Sequence, residues 1–301
     1  MDEVKKICVL GAGTMGSRIS LVSAIRGGYE VSVYDISEEA LKNCPKRQKQ
    51  MGIMMVNSGV ISQRQLDDGM THINYTTDPS KATNNADILS ESVAELVEVK
   101  RQIHCEFDRL CPPHTIMTTN TSSLLVSDIE SAVSRGDKFA AMHFHGALGS
   151  LVDIMRGPRT SDKTVELLVR FARSIGEIPM VMKKEKGGYL YNTMLGGLLR
   201  SALILAAGGY AEPQDIDRAY MLVTGQTYGP FAMMDGIGLN IVFEAGQSLV
   251  RDDTEVTQEQ MMDFIRPYIE RGDLGAKTGK GFYTYPNPAF QQTNFISGED
   301  D

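Results

Sequence analysis

Short apolar runs alternate with helical periods over roughly the first two thirds of the chain. Ile7–Leu10 is fully apolar and predicts a buried parallel strand. A glycine-rich turn, GAGTMG at 11–16, follows it, and a helical pattern then runs to about Arg26, where Gly27 and Gly28 end it. Glu30–Tyr34 predicts a second strand closed by Asp35, which completes one βαβ unit. Ala86–Ser90, Thr115–Thr119, Phe139–His143 and Ile178–Val181 predict further strands, and helical patterns separate most of them. Residues 37–70 predict a pair of helices, starting at Ser37 with Glu38 and Glu39 behind it. Pro45 is expected to end or kink the first of the pair.

The pattern changes after 183–188. From Tyr189 to about Ile269 it holds helical periods and no convincing strand. The expected fold class is therefore α/β: a Rossmann-type, doubly wound, mostly parallel sheet over residues 1–186, with a helical arm near 37–70. An all-helical C-terminal domain is expected over 187–286, followed by a polar, mobile tail over 287–301.

The glycine turn carries chemistry because of its context. It lies between a strand and a helix, where Gly11 makes the tight turn, Gly13 admits a pyrophosphate and Gly16 lets helix pack on strand. The helix N-terminus, with Thr14 and Met15 in its first turn, offers free N–H groups and a positive dipole end to phosphates. Asp35 stands 19 residues past Gly16, where a carboxylate takes ribose hydroxyls and repels a 2′-phosphate. Ile36 and Ser37 provide no arginine to offset it, so NAD is expected over NADP, and the acid–base residues further along favour it over FAD.

Composition narrows the classes. The 301 residues carry a net charge of −8, which disfavours a nucleic-acid surface, and no apolar stretch approaches the length expected of a membrane span. Residues 1–6 are mostly charged, so a signal peptide is not expected. Cys8, Cys44, Cys105 and Cys111 form no metal-binding spacing; reduced thiols, a cytoplasmic setting and no metal are expected.

Seven segments then occur in order: GAGTMG, NTSSL at 120–124, MHF at 142–144, LVDI at 151–154, GYLYN at 188–192, GPFAMMDGIGL at 229–239 and KTGKGFY at 277–283. Together they resemble the 3-hydroxyacyl-CoA dehydrogenases over residues 5–285. The resemblance implies an NAD-dependent oxidation of an L-3-hydroxyacyl-CoA, or its reverse, in a homodimer joined through the helical domain. It implies His143 as the base for the hydroxyl proton, which suits a group titrating near neutrality. It implies Asp153 as the carboxylate that fixes His143, with Ser122 and Asn192 binding the substrate oxygen. Cofactor contacts are implied for Glu95, Lys100, Asn120 and Lys277.

Single residues keep plainer readings. Ser122 and Ser123 are also suited to capping a helix, and Asp153 to being an ordinary loop acid. His145 shares a strand face with His143 and remains a rival base. The chain also departs from the family. Gly146 replaces an asparagine of an Asn-Pro pair, aspartate replaces glutamate at 153 after a shorter loop, and Arg18 replaces a glycine. Met51 and Ser58 stand where the family's CoA contacts fall on the arm, while Lys46, Arg47 and Lys49 form either a solvated face or a nucleotide-phosphate contact. These departures keep two alternatives: a dehydrogenase of a free hydroxy acid, and a non-catalytic NAD-binding protein.

Overall fold

The computed structural model describes residues 4–146, 150–247 and 256–298. Ala147–Gly149, in the loop where the sequence departs from the family, lie outside the described residues. The chain divides into two compact units, Met1–Leu190 and Tyr191–Asp301.

The first unit is one eight-stranded sheet in the order β3-β2-β1-β4-β5-β6-β7-β8. Its strands are β1 Lys6–Leu10, β2 Glu30–Tyr34, β3 Ile73–Thr76, β4 Ile88–Glu91, β5 Ile116–Thr119, β6 Phe139–Phe144, β7 Leu151–Arg156 and β8 Ile178–Met182. All neighbours pair in parallel except β6 and β7. Two of these strands were not legible in the sequence. β3 is four residues long with one buried side chain, so it carries almost no apolar signal. β7 contains LVDI, whose acid suggested a loop; Asp153 is instead fully buried in the strand.

The connecting helices are α1 Thr14–Ile25, α2 Glu38–Asn57, α3 Gln63–Met70, α4 Pro79–Thr83, α5 Val97–Leu110, α6 Val126–Ile129 and α7 Asp162–Ser174. Ser37 caps α2, its hydroxyl accepting from the Ala40 amide at 3.2 Å. Contrary to expectation, Pro45 does not end α2, which runs as one 20-residue helix. Leu41, Cys44, Gln48 and Met51 form its buried stripe, and tertiary packing of that stripe outweighs the local proline penalty.

The second unit comprises α8 Leu190–Ala207, α9 Pro213–Thr224, α10 Pro230–Ile237, α11 Leu239–Gln247 and α12 Gln258–Arg271. The 18 residues of α8 have a mean hydropathy of 1.3, long and apolar enough to cross a membrane, which the sequence reading did not anticipate. Its Leu199, Ala202, Leu203 and Ala206, at helical spacing, enter the core of this unit. The tail is not the loose segment expected, at least as far as Gly298. Phe295 is fully buried, its carbonyl accepts from Arg218 Nε at 2.6 Å, and that guanidinium stacks on its ring at 4.9 Å.

Two buried acids knot the second unit. Asp217 accepts from the Phe231 and Ala232 amides at 2.7 and 2.9 Å and from the Tyr283 hydroxyl at 2.9 Å. Asp235 accepts from the Phe282 and Tyr283 amides, both at 2.9 Å. The segments GPFAMMDG and KGFY are thus joined by carboxylates bound to main chain.

Candidate active site

The glycine turn has the form that its residues predict. Gly11 has φ +96°, and a β-carbon there would lie 2.5 Å from the Ser92 carbonyl oxygen. A β-carbon on Gly16 would lie 1.8 Å from the Gly11 carbonyl oxygen. Both positions therefore require glycine. At Gly13 the protein itself crowds nothing: the cradle that a β-carbon would begin to fill lies at the N-terminus of α1, where a pyrophosphate needs room. Asp35 is fixed by main chain, Oδ2 accepting from Ala12 N at 2.8 Å and Oδ1 from Ser37 N at 2.9 Å. The residues present therefore fit NAD.

Arg47 adds a group the sequence left ambiguous. Lys46 and Lys49 are exposed on α2, but Arg47 folds onto the glycine turn. Its Nη2 donates to the Ala12 carbonyl, and its Nε lies 3.3 Å from Ser17 Oγ. Arg18, by contrast, is not a charge presented at the turn. It is buried, pairs with Glu177 at 2.7 Å and stacks on Phe144 at 5.5 Å. Burial pulls its guanidinium down and Glu177 opposes this.

A chain of buried charges supports Ser122. Glu91, at the end of β4, is fully buried. Its Oε1 accepts from Lys100 Nζ at 2.7 Å and from Val93 N at 2.8 Å; Oε2 accepts from Thr119 Oγ1 at 2.6 Å and lies 3.3 Å from His104 Nε2. Burial alone would raise this carboxyl, but His104 and Lys100 overcome it and hold it at about 2. Lys100 Nζ also lies 3.3 Å from Glu95 Oε2, so its ammonium, 1% exposed, faces two carboxylates rather than solvent. Glu95 Oε1 in turn accepts from Ser122 N at 2.7 Å, Ser123 N at 2.9 Å and the Thr121 hydroxyl. Asn120 Oδ1 accepts from Phe144 N at 2.9 Å, which ties the end of β5 to the end of β6.

The register of β6 and β7 places His143 directly opposite Asp153. His143 Nε2 lies 3.2 Å from Ser122 Oγ, and its Nδ1 lies 3.7 Å from Asp153 Oδ2. That oxygen is closer to His145, whose Nε2 lies 2.6 Å away. The two imidazoles meet edge-on, with centroids 4.3 Å apart, and Tyr189 stacks on His143 at 4.6 Å. Tyr189 holds φ +48°, an uncommon backbone for a bulky residue. Burial, and secondarily His145, depress His143 to about 4, against the pull of Asp153. Its imidazole is therefore neutral at neutral pH and available as a base.

The structure thus brings Ser122, His143 and Asp153 together, with Glu95 and Lys100 behind them. Gly11, Gly13, Thr14, Met15 and Gly16 lie together at the end of β1, with Asp35 hydrogen-bonded to Ala12 N. Asn192, on the first turn of α8, and the exposed Lys277, on the turn Ala276–Thr278, belong to the second unit. Sequence reasoning missed Glu91, His104 and Tyr189. Tyr189 lies inside GYLYN, whereas Glu91 had no signal beyond ending an apolar run.

Comparison with known proteins shows the family. The family described as 3-hydroxyacyl-CoA dehydrogenase, NAD binding domain, matches residues 6–186, and the corresponding C-terminal domain matches residues 188–285. A probable 3-hydroxybutyryl-CoA dehydrogenase of Bacillus subtilis is 30% identical over 285 residues, covering 94% of this chain and 98% of the relative. Among solved structures, a diketoreductase acting on dicarbonyl compounds superposes with a TM-score of 0.86 at 33% identity, covering 95% of this chain and all of the other. The (S)-3-hydroxybutyryl-CoA dehydrogenase of Ralstonia eutropha does so with a TM-score of 0.83 at 26% identity, with 95% and 100% covered. The chain belongs to the 3-hydroxyacyl-CoA dehydrogenase family and is an NAD-dependent dehydrogenase acting on CH–OH groups.

Proposed function

From this membership, we propose that the chain oxidises an L-3-hydroxyacyl-CoA to the 3-oxoacyl-CoA, or runs the reverse reaction. The observation that carries the reading is the 3.2 Å approach of Ser122 Oγ to His143 Nε2, with Asp153 behind the ring. Bound NAD supplies the hydride acceptor. His143 Nε2 takes the hydroxyl proton, and Asp153 stabilises the resulting imidazolium. Ser122 donates to the substrate oxygen, a role also assigned to Asn192. Glu95 holds Ser122 in place through its amide, and Lys100 holds Glu95, so Lys100 acts through another carboxylate rather than on the cofactor. Gly11, Gly13, Gly16, Thr14 and Met15 receive the pyrophosphate and Asp35 the ribose. Lys277 and Asn120 are assigned near the cofactor by family position.

His143→Gln is expected to lower turnover at least about 100-fold while NADH affinity, read by fluorescence titration, stays at the parent value. Undiminished turnover would remove His143 from the role of base and move it to His145.

A second reading has its own support. Met51, at a family CoA-contact position, is buried against Leu21, Ile25, Ile61 and Leu66 and presents nothing to a ligand. The diketoreductase likeness points the same way, to a dicarbonyl or hydroxy acid without CoA. NADH oxidation with acetoacetyl-CoA beside free acetoacetate separates the two: activity with the thioester alone supports the first, and with the free acid alone the second.

A further inference from the structure

The dehydrogenase reaction accounts for Asp153 behind His143 but not for a second histidine on the same carboxylate. Nε2 looks toward Ser122, but Nδ1 looks toward Asp153, and His145 Nε2 arrives at the same carboxylate oxygen. The three ligand atoms lie within 4.8 Å of one another. This convergence follows from strand geometry. Residues 143 and 145 are two apart and share a face, and Asp153 is the cross-strand partner of His143.

Among the described residues, two buried polar atoms in this cluster have no hydrogen-bond partner: His143 Nδ1 and Asp153 Oδ1. Their residues are 5% and 0% exposed. Buried polar atoms without partners are uncommon, and an ion is one of the things that completes them. A cysteine-free set of two imidazoles and one carboxylate suits a divalent ion of borderline softness, above all Zn2+. Zinc bonds of about 2.0–2.1 Å place tetrahedral ligand atoms about 3.3 Å apart. The observed 2.6 and 3.7 Å separations straddle that value, so small side-chain rotations close the site.

We propose that His143 Nδ1, Asp153 and His145 Nε2 form an inhibitory binding site for Zn2+ behind the catalytic base. The consequence is chemical, and it rests on the reading of His143 as that base. A neutral imidazole metallated at Nδ1 carries its proton on Nε2. The nitrogen facing Ser122 then has no lone pair for the substrate proton, and Asp153 is withdrawn to the metal. The ion lies on the opposite side of the ring from Ser122, so it silences the base rather than polarising the substrate. Each imidazole gives up the proton on its metal-bound nitrogen to solvent and takes one on its other nitrogen, so the ring stays neutral and no proton is gained or lost overall, and the fourth coordination position is left to water. Removal of the ion restores the base.

The test uses the full-length chain freed of metal with EDTA, then titrated with Zn2+ in a non-chelating buffer. Turnover is expected to fall at least about tenfold at about one ion per chain, with NADH affinity unchanged and full recovery on adding EDTA. Co2+ is expected to give the visible absorption of a four-coordinate nitrogen–oxygen site. His145→Gln, whose amide still reaches Asp153, is expected to need at least about tenfold more Zn2+ for the same fractional loss, each protein being referred to its own metal-free rate. NADH affinity at the parent value certifies that the variant is folded, and the parent cobalt spectrum decides without it. Inhibition unchanged in His145→Gln, absence of both inhibition and a cobalt spectrum, or a sulfur-to-cobalt band from a cysteine would each overturn the site. A nitrogen–oxygen cobalt spectrum with full turnover would keep the metal site and sink His143 as the base.

Discussion

Glu91 in the first unit and Asp217 in the second are both buried carboxylates, and the two are treated in opposite ways. In the first, Glu91 has cationic and hydrogen-bonding company: Lys100 at 2.7 Å and His104 at 3.3 Å. It is held at about 2, ionised and rigid, and it transmits that rigidity through Lys100 and Glu95 to the amide of Ser122. In the second, Asp217 is surrounded by main-chain amides and a tyrosine hydroxyl. Burial pushes it up to about 6, because dipoles offset less of the desolvation than charges do and the neighbouring Asp235 adds repulsion. One network holds the main chain at Ser122 and Ser123, and the other ties chain segments. Family motifs mark both, so motif membership does not distinguish chemistry from architecture.

The comparison is broken most severely at Lys100. Lys100→Met leaves Glu91 and the buried face of Glu95 without their shared cation, and removing one partner of a buried pair costs about 3–5 kcal/mol. Denaturant unfolding reads the loss. Turnover should fall as well, because Glu95 no longer holds the Ser122 loop.

Asp217→Asn is expected to cost less, about 1–3 kcal/mol, because an amide oxygen replaces one acceptor and an amide nitrogen faces a donor. NADH affinity should not change. If this variant lost as much stability as Lys100→Met, the distinction between charge-paired and dipole-paired acids would fail.

The pH dependence should also run in opposite directions. Asp217 is raised from about 3.9 in the unfolded chain to about 6 in the fold. Its stabilising contribution is therefore complete below pH 4 and is lost as pH rises through 6. The gap in melting temperature between parent and Asp217→Asn should be wider at pH 4 than at pH 7. Glu91 is depressed, so its contribution is present above the unfolded value and is lost only as pH falls toward 2.

The smallest effect belongs to exposed charge. Arg64 and Asp68 pair at 3.4 Å on α3, with side chains 88% and 70% exposed. Arg64→Ala should change stability by less than about 0.5 kcal/mol, which isolates burial as the variable in the three larger effects.

How much could be read in the chain follows the same physics. The glycine turn, Asp35 and six strands were legible because backbone sterics, local capping and short apolar runs are sequence-local. β3 and β7 were not legible: one is half exposed and the other carries a buried acid in mid-strand. The Ser122–His143 pair was found by family order, but the sharing of Asp153 by two histidines was not. It depends on which residue of β7 falls opposite His143, and register belongs to the assembled sheet.

The sequence by itself determined the βαβ unit, the NAD preference, the change to a helical last third and the family. Each is written in spacing along the chain. Only the tertiary structure decided that Pro45 lies inside an unbroken helix, that Arg18 is neutralised by Glu177, and that Phe295 anchors the tail. It also decided that Lys100 and Asp153 are shared between partners. A charge's role depends on what surrounds it once water is excluded, and those neighbours come from as near as 8 residues for His145 and Asp153 to as far as 159 for Arg18 and Glu177.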